Sequence, residues 1–158
     1  MEVVQQSLEQ AGIVYLFLGK ELGARSDNPQ CYVDGKVRYE LLSQEASFQE
    51  GIARVLRELE RYSIALMCAE GDPLKCHRTI LVGRELRKRD VGLHHILPDG
   101  SLESHRDTEK RLLRLLRLPE SELFRTHEEI IADAYAIQGQ RIAYVNKGIG
   151  RSISEVHT

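Results

Sequence analysis

The stretch from Ser63 to Ile80, SIALMCAEGDPLKCHRTI, constrains this chain more than any other. An apolar run, Ile64 to Cys68, leads into Gly71-Asp72-Pro73, and the chain resumes with Leu74-Lys75-Cys76-His77-Arg78 ahead of Thr79-Ile80-Leu81-Val82. Proline donates no amide to a central ladder and clashes inside a helix, so Gly71 to Pro73 has to be a connection. The pattern predicts a buried strand before it and a helix after it, from about Leu74 to Arg89, with Cys76, His77 and Arg78 in the first turn. Strand then helix is half of a crossover unit, the means by which parallel strands are joined.

The flanking sequence repeats the alternation. Ile13 to Leu18 is a continuous β-branched and aromatic run between Gly12 and Gly19, the pattern of a strand covered on both faces, and Glu2 to Ala11 before it has helical spacing with Gly12 at the C′ position. Ser47-Phe48-Gln49-Glu50 reads as a capping box, opening a helix whose apolar stripe is Phe48, Ile52, Val55, Leu56, Leu59 and Tyr62. Val91 to Leu97 is predicted as a strand, Pro98-Asp99-Gly100 as a turn, and Arg106 to Leu118 as a helix with a basic side. Thr126-His127-Glu128-Glu129 is a second capping box, its helix ending at Gly139, and Arg141 to Val145 a short last strand. The expected fold is α/β: a mostly parallel sheet flanked by helices, a Rossmann-like three-layer arrangement with a helical C-terminal extension. The expected organisation is a single domain over 1–145, with a core over about 8–118, further helices and a short strand over 119–145, and a flexible tail over 146–158.

Composition narrows the function classes. At 158 residues and 42% hydrophobic, the chain can bury a single core without staples. A formal net charge of −2 argues against a partner that binds the whole surface electrostatically, such as bulk DNA or an anionic membrane. The apolar runs are far shorter than a membrane span, no basic-then-apolar leader opens the chain, and the three cysteines fit a reducing compartment; the cytoplasm is the expected location.

A strand ending at Cys68 and a helix starting near Cys76 would bring both thiols and Glu70 around one small space. A helix N-terminus there, with Arg78 and His77 beside it, would lower a thiol pKa or hold an anion. The candidate catalytic residues are therefore Cys76, as thiolate nucleophile, with His77 and Glu70. Arg78, Cys68 and Asp72 are candidate substrate-binding residues, joined by Lys20 and Arg25 from the long segment Gly19 to Glu45 that follows the first predicted strand. Each has a structural alternative: a cysteine ending an apolar strand is commonly a small core hydrophobe. The seven-residue gap between Cys68 and Cys76 is not a zinc-knuckle spacing, no second Cys-x-x-Cys or His pair completes a tetrahedral set, and no metal is expected. His94 and His95 should point to opposite faces of their strand, so at most one joins the site. Cys-x5-Arg is absent, since Leu74 and Val82 stand six positions after the two cysteines, as are a Walker A loop and Gly-x-Gly-x-x-Gly.

Cys68-Ala69-Glu70 followed by Asp72-Pro73 and Cys76-His77-Arg78, with Phe17-Leu18-Gly19-Lys20-Glu21-Leu22-Gly23, Phe48-Gln49-Glu50-Gly51 and His95-Ile96-Leu97, resembles the domain of unknown function 488 family over roughly residues 8–118. The resemblance implies a compact α/β domain and paired cysteines that hint at enzymatic activity without a settled reaction. Such proteins typically begin with a further strand carrying a Gly-His-Ser or Gly-His-Thr turn, a helix, and a strand ending in Asp-Val-Arg; none precedes Met1-Glu2 here. The resemblance thus implies a shortened form or a sheet completed by another chain, and an exposed sheet edge would favour a homodimer. The expected function is an anion or nucleotide-type small-molecule site at Cys68 to Arg78, with thiol-dependent catalysis as its enzymatic form. The alternatives are a nucleic-acid-binding module using the basic helix over 106–117, and an interaction domain with structural cysteines. Nothing in the sequence names a cofactor.

Overall fold

A computed structural model describes residues 2–146. Helix α1 (Glu2–Gln10) opens the chain and closes at Gly12, whose φ of +72° suits the left-handed turn expected there. A 3₁₀ turn (Pro29–Cys31) leads into strands β1 (Tyr32–Val33) and β2 (Lys36–Val37), an antiparallel hairpin around Asp34-Gly35, both at positive φ. Two consecutive positive φ angles match the right-handed twist of paired strands. Helices α2 (Tyr39–Leu42) and α3 (Ala46–Leu59) follow, then a 3₁₀ turn (Pro73–Lys75), a π-helical segment (Arg78–Gly83) running directly into α4 (Arg84–Arg87), strands β3 (His94–Ile96) and β4 (Leu102–Ser104), and helices α5 (His105–Leu116) and α6 (His127–Ile142).

The expected three-layer parallel fold is not what forms. The strands make two separate antiparallel pairs, β1 with β2 and β3 with β4, and helices provide most of the ordered structure. The predicted strands over 13–18 and 64–68 belong to neither sheet. The reason is visible in their side chains: Ile13, Val14, Leu16 and Phe17 are exposed, as are Ile64 and Met67. An apolar run becomes a buried strand only if neighbours supply a ladder about 4.8 Å away and cover both faces, and a local pattern cannot report that. Leu18 and Leu66 alone among these positions pack against the core.

The core is instead assembled by helix faces. Phe48, Ile52 and Val55 from α3, Ile80, Leu81 and Val82 from the π segment, Leu112 and Leu113 from α5, and Ile130, Ile131 and Ala134 from α6 are all buried together. Gly51 lets this packing close over the loop before it, since a Cβ there would stand 2.7 Å from that of Glu21. The long segment over 19–45 contributes Leu22, Cys31, Val37, Tyr39 and Leu42 to the core.

Several boundaries differ in instructive ways. Helix α3 begins at Ala46, ahead of the Ser47 capping box, and its N-cap Glu45 makes no side-chain cap bond. The Thr126–Glu129 capping box does form, each partner bonding the other's backbone amide. Its helix runs past Gly139 to Ile142, so Arg141 and Ile142 are helical, and only Val145 makes a β-bridge, to Lys36. Gly139 is tolerated mid-helix because Tyr39 packs where its Cβ would be, 3.3 Å away. The predicted tail beyond Asn146 lies outside the described residues. No described helix is long and apolar enough to cross a membrane.

A candidate thiol and histidine site

Asp72 starts the site from below. Its side chain accepts from the Leu74 amide at 3.1 Å, capping the 3₁₀ turn, while Pro73 occupies the first position of that turn, where a missing amide costs nothing. The Cys76 amide closes the turn by donating to the Pro73 carbonyl at 3.2 Å, and Cys76 itself is extended, with φ −117° and ψ 135°. Cys76 therefore precedes the helical run instead of sitting in its first turn, and its carbonyl accepts from the amides of Thr79 and Ile80.

This geometry turns three donor atoms toward one another. The sulfurs of Cys68 and Cys76 and a ring nitrogen of His77 all lie within 4.8 Å of each other. Cys68 Sγ is 3.6 Å from His77 Nδ1. Cys76 is completely buried, whereas Cys68 and His77 are half-buried.

Arg78 organises the cluster from one side. Its Nε donates to Cys76 Sγ at 3.2 Å, Nη1 to the Leu66 carbonyl at 3.1 Å and Nη2 to the Glu70 carbonyl at 2.9 Å, and its backbone amide also donates to Cys76 Sγ at 3.4 Å. One planar fork thus holds the 66–70 segment, which has no sheet to belong to, against the start of the π segment. Burial pushes the Cys76 thiol pKa up, opposed by the hydrogen bonds from Arg78. Burial pushes the His77 pKa down, and the neighbouring Arg78 charge adds to this, so the imidazole is neutral at neutral pH.

The remaining sequence candidates lie apart from the three donors. Glu70 is exposed, and it is its carbonyl, not its carboxylate, that meets Arg78. The Asp72 carboxylate is bonded to Arg111 Nη1 at 3.1 Å, and Arg111 also grips Glu103, tying α5 and β4 to the turn under the site. Lys20 is exposed on the turn after Leu18. Arg25 stacks over the Tyr144 ring, 4.0 Å from its centre. On the basic side of α5, Arg111 is held by Asp72 and Glu103 and Lys110 by Asp107.

A second polar assembly, which the sequence did not announce, lies beneath. His95 Nε2 is 2.8 Å from His105 Nδ1, His105 Nε2 is 2.8 Å from the Tyr135 hydroxyl, and that hydroxyl donates to Glu109 Oε1 at 2.9 Å, where Arg87 also bonds at 3.0 Å. The phenol has one proton and gives it to Glu109, so His105 must donate through Nε2 and accept at Nδ1 from His95. Of the two adjacent histidines it is His95 that turns inward, while His94 is exposed, as strand alternation requires. His105, Glu109 and Tyr135 fall on two helices and are buried by the packing of α5 on α6, which no local pattern encodes.

The family model for the domain of unknown function DUF488 matches residues 1–84 of the 158. The chain belongs to that family. The match ends at the junction of the π segment with α4, so the DUF488 portion contains Cys68, Cys76, His77 and Arg78, while the hairpin of β3 and β4 and helices α5 and α6 lie beyond it. No curated protein and no solved structure matches the chain.

Proposed function

We propose that this DUF488 protein carries out thiol chemistry with Cys68 as the attacking sulfur, His77 as its proton acceptor and Cys76 as the second, resolving thiol. The observation that carries the reading is the 3.6 Å contact between Cys68 Sγ and His77 Nδ1, with the Cys76 sulfur inside the same 4.8 Å cluster. A thiol becomes a nucleophile when a base takes its proton, and a neutral, half-buried imidazole is such a base. Cys68 is the sulfur that solvent reaches, which favours it over the fully buried Cys76 for the first step.

The reaction that uses both thiols is exchange with a disulfide. The Cys68 thiolate attacks one sulfur of the substrate disulfide, forming a mixed disulfide and releasing the other sulfur as a thiolate, which takes the proton held by His77. The Cys76 sulfur, passing its proton to the again neutral His77 in the same cluster, attacks Cys68 Sγ, and the substrate's second sulfur leaves with that proton as a thiol. The substrate is reduced to its dithiol, the protein is oxidised to a Cys68–Cys76 disulfide, and an external thiol reductant restores it. An anion-binding function draws less support, because Nε, Nη1 and Nη2 of Arg78 are each engaged by internal acceptors.

Alkylation of the metal-free, reduced chain across pH, read by peptide mass, tests the reading. Cys68 should react faster than Cys31 and Cys76 near neutral pH, His77→Gln should remove most of that advantage, and mild oxidation should yield the Cys68–Cys76 disulfide. A Cys68 that reacts like a model thiol, together with no intramolecular disulfide, would sink it.

A further inference from the structure

The geometry points to a binding site for a thiophilic divalent cation, zinc in character, formed by the sulfurs of Cys68 and Cys76 and a ring nitrogen of His77. Spacing rules based on knuckles describe closed sites with four protein ligands, whereas the described cluster offers three donors, the number that a zinc site with an open position uses. In a tetrahedron with a sulfur at ~2.3 Å and a nitrogen at ~2.0 Å from the ion, those two atoms stand about 3.5 Å apart. Cys68 Sγ and His77 Nδ1 are 3.6 Å apart with no ion present. The two sulfurs of such a tetrahedron stand about 3.8 Å apart. All three donor atoms here lie within 4.8 Å, so the two remaining edges, Cys68 to Cys76 and Cys76 to His77, close by about 1.3 Å or less.

The surroundings suit two thiolates. The Nε–H and backbone N–H of Arg78 both point at Cys76 Sγ, the outer hydrogen bonds that steady a metal-bound thiolate. A doubly charged cation with two thiolates is neutral, so the Arg78 charge beside it meets no net repulsion, and each thiol gives up its proton as its metal bond forms. Sulfur donors exclude magnesium and calcium, which take oxygen. Three protein donors leave a fourth position, which a water or a substrate sulfur can take. This inference concerns the same side chains as the thiol reading and regulates it: with the cation bound, both sulfurs are occupied and the disulfide cannot close.

The test uses the full, reduced chain freed of metal with a chelator and titrated with cobalt(II) as a spectroscopic probe, then with zinc against a chromophoric chelator. One cobalt per chain should bind with a sulfur-to-cobalt charge-transfer band and the visible bands of a four-coordinate ion. Cys31→Ser should change nothing. Cys68→Ser should lose about half the charge-transfer intensity, and Cys68→Ser and His77→Gln should each weaken zinc by more than the ~10–100-fold that loss of an outer partner costs. Both positions are half-buried, so these variants keep the test sound even if the buried Cys76→Ser fails to fold. Absence of the charge-transfer band, or affinity unchanged in both variants, overturns the cation site. Alkylation of the metal-free chain is unaffected by that result, so failure here and failure of the thiol reading are distinguishable.

Discussion

Arg78 does at the scale of one residue what a sheet would otherwise do for the 66–70 segment. Its guanidinium meets a thiol and two carbonyls in one plane, a set that a single ammonium cannot span. Arg78→Lys should therefore lower stability by about 2 kcal/mol, the value of one to two hydrogen bonds to a charged group, read as a drop in the urea midpoint without a change in slope. The same variant should slow formation of the Cys68–Cys76 disulfide, because the 66–70 segment is no longer held against Cys76. That Cys68, Cys76, His77 and Arg78 come together was legible from their spacing around Gly71-Asp72-Pro73. Which of the two sulfurs faces solvent was not, because that depends on the extended backbone at Cys76 and on what packs over it.

At the scale of elements, local signals succeeded where the physics is local. The Thr126–Glu129 box and the Gly12 helix end involve partners within a few residues, and each forms as read, whereas the Ser47–Glu50 box does not. Thr126→Ala should cost about 1 kcal/mol, measured as a fall in the midpoint of thermal or chemical unfolding. The apolar runs are the contrary case. Phe48 on α3 is 1% exposed and Val14 in the predicted first strand is 84% exposed, although both come from equally persuasive patterns. Phe48→Ala should cost ~3–5 kcal/mol and Val14→Lys less than ~0.5 kcal/mol, whereas a Rossmann-like sheet with residues 13–18 at its centre would make both costly.

For the whole molecule, the His95–His105–Tyr135–Glu109 chain links the hairpin of β3 and β4 to the packing of α5 on α6, and it sets how stability responds to acid. Burial, helped by the His95 and Arg87 charges, pushes His105 down to about 4. The unfolded chain takes up that proton at about 6.5, so between these values it binds more protons than the native state and stability falls as pH falls. The loss should approach ~3 kcal/mol by the lower end of the window, partly offset by Glu109, whose burial raises its pKa and gives the opposite sign. His105→Asn should flatten the pH dependence of unfolding over this range. The sequence by itself determined the Thr126 capping box, the Gly12 helix end, most of the helical stripes and the gathering of Cys68, Cys76, His77 and Arg78, because these follow from periodicity and from bonds spanning a few positions. Only the tertiary structure decided that residues 13–18 and 64–68 stay outside any sheet, that Cys76 is sealed while Cys68 meets solvent, and that a histidine pair joins a tyrosine on the following helix. Those outcomes depend on which surfaces meet, and no residue carries that information alone.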